Sequence, residues 1–201
     1  MLKESLSPKH ILVDLISIQC QLKDLFKNDE QYRSIIEFLG AKDYYNDPDI
    51  PYPTMKEVEK GTGLSPTQLR KKLLEMYAHI FDYESQDMLK FEKTEYSFYL
   101  TNFDLHGQFE VGFLKHVPRA GEELSLPFVN EKMGTKNFYV DKVVHYFEND
   151  LQRVVIYLKG GFYNSYWETR KHEALLKEEI TIEDIYKLYD FQLKEKLGFP
   201  W

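Results

Sequence analysis

One cysteine, Cys20, is present in 201 residues. A lone thiol closes no internal disulfide and completes no multi-cysteine zinc site, so a stapled secreted scaffold is excluded and a reducing, cytoplasmic setting is expected. No apolar run approaches the roughly 18 residues of a spanning helix, which points away from a membrane. The opening "MLKESLSPKHILVDLISIQC" carries Asp14 inside its apolar run and has no small-residue cleavage signature, so no signal peptide is expected. Basic residues are outnumbered, 26 Lys and Arg against 33 Asp and Glu, for a formal net charge of −7. So acidic a chain is not a general nucleic-acid coat; any DNA contact must come from a local basic patch.

Catalytic signatures are also missing. There is no HExxH, P-loop, GxSxG or glycine-rich dinucleotide motif. The six histidines are scattered, and only His106, His116 and His145 could converge from neighbouring strands on a metal. Three histidines without a second signature are more often ordinary surface or core residues. Cys20 lies in a packed helical pattern, a poor place for a nucleophile. The expectation is a protein that is not an enzyme and holds no metal or cofactor.

Core-building residues are plentiful: 43% of the chain is hydrophobic and 15% aromatic. In "SPKHILVDLISIQCQLKDLF", Ser7 and Pro8 suit a helix start, and Ile11, Leu15, Ile18, Leu22 and Leu25 recur at helical spacing, widened by Leu12, Ile16 and Phe26. "NDEQYRSIIEFLG" follows, with Asn28 and Gln31 spaced as a capping box and Gly40 as a stop. "AKDYYNDPDIPYP" holds three prolines and reads as a loop. Near Asp82 the period changes. "LKFEKTEYSFYLT", "GQFEVGFLKHV", "EELSLPFV", "KNFYVDKVVHYF" and "QRVVIYLKG" favour strands, divided by the turn-like "DLHG", "PRAG", "NEKMG" and "END". Five short strands predict a small antiparallel barrel or tightly curved sheet. "WETRKHEALLKEE" and "TIEDIYKLYDFQLKEKLG" return to helix, the latter with Thr181 and Asp184 at capping-box spacing. The expected class is α+β: a helical domain over 1–84 and a β-barrel-like domain with terminal helices over 85–201.

Between these parts of the pattern lies "TMKEVEKGTGLSPTQLRKKLLEMY", residues 54–77. Thr54 with Glu57 and Ser65 with Gln68 make two capping boxes, Pro66 takes the first position of the second helix, and Gly63 supplies a turn that requires positive φ. Met55, Val58, Leu64, Leu69 and Leu73 then point inward. The stretch resembles the helix-turn-helix, winged-helix-like, of bacterial transcription regulators: a short helix, a Gly-hydrophobic-Ser turn and a recognition helix. Glu59 stands after Val58, where such motifs often carry a small residue. The resemblance implies a partner, duplex DNA, met by a homodimer. It implies Thr67, Gln68, Arg70 and Lys71 at the major groove, with Lys72, Lys56 and Lys60 on phosphates. Five Lys and Arg against three Asp and Glu give 54–77 a local net charge of +2. The alternative is a protein-interaction module that uses the same shape without DNA.

The aromatics of "EYSFYLTNF", "NFYVDKVVHYF" and "GGFYNSYW" are expected to build a core on one strand face and cross-strand pairs on the other, with an aromatic-lined groove for a small ligand or peptide as the alternative. The strand-turn-strand "HVPRAGEELSLPF" is reminiscent of small SH3-like barrels, a likeness of fold that implies no particular ligand. Arg119 in that turn could hold an anion or a partner carboxylate; more often an Arg after Pro in such a turn is simply exposed or pairs with the neighbouring Glu122 or Glu123.

Overall fold

The computed structural model describes residues 6–82, 84 and 88–199. Pro8 begins α1 (Pro8–Ile16) at the first helical position, where a missing N–H costs nothing. Ile11, Leu12, Leu15 and Ile16 are buried, as a 3.6-residue period requires. The apolar stripe runs on through Ile18, Leu22, Leu25 and Phe26, but the helix does not. It breaks at Ser17 and Ile18 and restarts as α2 (Gln19–Leu25). Ser17 turns its hydroxyl onto the Asp14 carbonyl at 2.7 Å, and Ile18 leaves helical geometry at φ −125°.

The backbone groups freed by that break are met by Asn149. Its N–H donates to the Ser17 carbonyl at 2.7 Å, its side-chain oxygen accepts from the Cys20 N–H at 3.4 Å, and its carbonyl accepts from the Gln21 amide. The Gln21 oxygen in turn accepts from the Lys90 N–H at 2.7 Å. Asn149 is buried and sits at φ 51°, a left-handed conformation that Asn tolerates better than most residues.

A short 3-10 helix, Glu30–Tyr32, leads into α3 (Arg33–Gly40). The expected Asn28–Gln31 capping box does not form. The cap position is Asp29, without a side-chain bond, because the entry is a tight 3-10 turn. The proline-rich stretch 41–53 holds no helix or strand. Then come α4 (Met55–Thr62) and α5 (Pro66–Ile80). Leu15, Leu22, Ile35, Leu39, Val58, Leu69, Leu73 and Met76 are fully buried in one cluster.

The strands are β1 (Lys93–Asn102), β2 (Leu105–Val111), β3 (Glu123–Ser125), β4 (Asn137–Glu148) and β5 (Leu151–Gly160). They form one sheet in the order β2-β1-β5-β4-β3. It is open, so the barrel expectation is corrected: β2 and β3 end the order and do not pair with each other. β3 is only three residues long and is followed by Pro127, which starts a 3-10 helix; so short a strand cannot close a barrel. The turn expected at "DLHG" lies one step earlier, at Phe103 and Asp104, and Leu105, His106 and Gly107 already belong to β2. "NEKMG" folds as helix α6 (Asn130–Met133), closed by Gly134 at φ 67°. Phe98, Leu100, Phe138, Val140, Val154, Ile156 and Leu158 are even-numbered, share one face, and form the second core with Met133.

Three helices follow, α7 (Ser165–Leu176), α8 (Ile182–Lys187) and α9 (Asp190–Lys196). The expected final helix is divided, because Leu188 is extended at ψ 142° and Tyr189 at ψ 159°. The Thr181–Asp184 capping box forms, and Asp184 also takes the Lys196 ammonium at 2.9 Å. The Lys196 bond first, then the Thr181 backbone and hydroxyl, lower the Asp184 carboxyl to about 2. A carboxyl depressed in the folded state contributes stability above its unfolded pKa and loses it as pH falls through the folded one. Thermal melts from pH 5 to 2 should therefore show a shallower acid loss for Asp184→Asn than for wild type, confined to about pH 4 to 2. Parallel curves would remove Asp184 as an acid-sensitive group.

The chain divides into two compact units, residues 1–94 with 146–152 and residues 95–145 with 153–201. Among the described residues no helix is long and apolar enough to cross a membrane.

Candidate nucleic-acid interface

Both ends of the α4–turn–α5 stretch are fixed locally. The Thr54 hydroxyl oxygen accepts from Glu57 N–H at 3.3 Å, and Glu57 Oε2 accepts from Thr54 N–H at 2.7 Å. Ser65 and Gln68 repeat the pattern at 3.4 and 3.1 Å. Between them Gly63 closes α4 at φ 70°, its N–H bonded to the Glu59 carbonyl at 2.9 Å. Nothing crowds a Cβ added at Gly63, so substitution there meets backbone strain alone. Gly63→Val should destabilise the protein by more than about 1 kcal/mol, because a β-branched side chain fits positive φ poorly. An unchanged thermal midpoint would refute that turn.

Val58, Leu69 and Leu73 point inward and are fully buried; Met55 and Leu64 are partly buried against the same core. A Cβ added at Gly61 would overlap the Phe38 ring of α3. Gly61 is thus the small residue that lets a neighbouring helix approach α4, two positions after Glu59, where helix-turn-helix motifs often carry one.

Thr67, Gln68, Arg70 and Lys71 are exposed along the first turns of α5, and Lys56 and Lys60 are exposed on α4. Lys56, Lys60 and Arg70 make no ion pair among the described residues. Lys71 stands 3.7 Å from Glu75. Two residues have prior engagements. The Gln68 side-chain oxygen is held by Ser65, leaving the amide NH₂ as its outward group. Lys72 is half-buried; its ammonium donates to the Gln31 carbonyl at 2.8 Å and lies 5.5 Å from the centre of the Tyr32 ring. The start of α5 adds the positive end of a 15-residue helix.

Other sequence candidates are dispersed. Among the described residues no three His, Cys, Asp or Glu side chains gather as metal ligands, so His106, His116 and His145 do not converge. Cys20 is exposed rather than packed, since α2 turns it outward. Partial desolvation of the thiol, then the charges of Asp150 and Asp43, raise its pKa, which disfavours the thiolate a nucleophile needs. It lines a cavity of about 680 Å³ between α2 and α3 with Lys23, Phe26, Ile36 and Glu37. Glu122 accepts from the Arg119 backbone N–H at 3.1 Å. Comparison with family models, curated proteins and solved structures gives no match.

Proposed function

We propose that this chain is a DNA-binding transcriptional regulator whose α5 enters the major groove. The carrying observation is the doubly capped pair α4 and α5 around Gly63, which presents Thr67, Arg70 and Lys71 outward beside Lys56 and Lys60. Arg pairs bidentately with guanine, and exposed lysines neutralise phosphates. The cytoplasmic setting and a ligand-sensing or self-associating role for the β-rich part belong to the same proposal. Titration of a mixed-sequence duplex at about 50 mM salt tests it. Three phosphate contacts per subunit give log affinity a slope near −3 against log salt, doubled in a dimer. Binding no tighter than that of an equally acidic control protein would overturn the reading.

A second reading, a protein-interaction module without DNA, draws on two hydrogen bonds. The Gln68 oxygen is committed to its cap and the Lys72 ammonium to Gln31, so two of the seven candidate DNA contacts give part of their capacity to the fold.

A further inference from the structure

The two ends of the sheet differ. β3 has three residues and is blunted by Pro127, whereas β2 has seven and no proline. Edge strands of that kind are templates for pairing with another chain. Asn102 faces Leu105 across a two-residue loop, and such a loop closes on a hydrogen-bonded pair. By alternation Leu105, Gly107, Phe109 and Val111 bond to β1, and the backbone groups of His106, Gln108 and Glu110 point away from it. Those three residues are exposed, as is Leu105 at 45%.

From this edge we infer that the chain docks a second copy of itself, β2 against β2 in antiparallel register centred on Gln108. In that register His106 faces the partner's Glu110, Gln108 faces its own copy, and Leu105 faces Val111. Each His–Glu pair occurs twice by symmetry, since a two-fold contact is self-complementary. An imidazole N–H can donate to the facing carboxylate, and like charges directly across a strand pair oppose it. A slip of two residues in one direction sets Glu110 opposite Asp104, so like charge disfavours that slip. Glu110 is already oriented, its carboxylate accepting from the Ser97 hydroxyl at 2.7 Å and the Gln108 amide at 3.2 Å. A carboxylate retains acceptor sites for one more donor. The outward groups supply roughly six backbone hydrogen bonds. So short an edge buries less than a standard interface, so the dimer is expected to be a weak one that forms with rising concentration. The inference rests on the sheet alone, so DNA binding can fail while it stands.

Light scattering and sedimentation of the full chain, from about 1 to 200 μM, test it. Wild type should pass from monomer to dimer. Gln108→Pro removes an outward N–H that β1 does not use. His106→Glu sets two carboxylates across the contact and leaves the bonds to Ser97 and Gln108 in place, and Glu110→Lys removes the carboxylate that His106 faces. Each variant should dimerise at least tenfold more weakly, with circular dichroism unchanged. Mixing His106→Glu with Glu110→Lys should restore a heterodimer, because glutamate then faces lysine and histidine faces glutamate. That rescue also decides the matter if Gln108→Pro fails to fold. A chain monomeric throughout the range, a dimer indifferent to the charge changes, or a mixture that stays monomeric would each overturn the inference. In the first case the edge is left for the strand of a different protein.

Discussion

Leu69→Ala should cost about 2–5 kcal/mol of unfolding free energy, by the loss of buried methyl groups and the cavity they leave. Leu69 is fully buried at the start of α5 and shares one core with Val58, Leu73 and Met76. It is the residue by which the first turn of α5 grips the helical core. The upper part of that range is expected because rigid neighbours border the site: two capped helix starts cannot easily slide to fill a void. Leu69→Met keeps the volume and should cost less than about 1.5 kcal/mol. Thr67→Ala, two residues away but exposed, should move stability by no more than about 0.5 kcal/mol. Denaturant melts of the three variants check the order. Equal effects at Leu69 and Thr67 would mean that α5 is not packed as described.

The second large effect concerns charge. Replacing Lys56, Lys60 and Arg70 together by alanine should lower affinity for a mixed-sequence duplex by about 1,000-fold or more at low salt, since hydrogen bonds to charged groups are each worth roughly 1.5–3 kcal/mol. The salt slope should become shallower by about 0.9 for each phosphate that is no longer neutralised. All three side chains are exposed and make no ion pair among the described residues, so the fold should be almost untouched. Lys72→Ala should behave differently. Its ammonium is tied to the Gln31 carbonyl and the Tyr32 ring, so part of its effect falls on stability. If the triple variant binds duplex as tightly as wild type, those residues do not face DNA.

What could be read from the sequence was local. The caps of α4 and α5 depend on residues three apart, and Thr54, Glu57, Ser65 and Gln68 form both boxes as their spacing requires. The apolar stripe of the first two helices and the even-numbered face of the sheet follow from periods of 3.6 and 2. What could not be read was settled by partners distant in the chain. The break at Ser17 depends on Asn149, whose backbone and side chain meet the groups it frees. The choice between barrel and open sheet turned on where β3 stops, and Pro127 cuts it to three residues. At the candidate site the exposed positions were legible because they lie opposite an apolar stripe. The engagement of Lys72 with Gln31 was not, since it depends on how the two segments pack.

The most direct measurement is selection of bound sequences from a random duplex library at about 50 mM salt, run with wild type and with Arg70→Ala. If α5 reads bases, wild type enriches a defined site. Arg70→Ala should then relax preference at particular base pairs, with about 1–3 kcal/mol of discrimination at stake. Enrichment of no sequence by wild type, or of the same sequences to the same degree by Arg70→Ala, would contradict base reading by this helix.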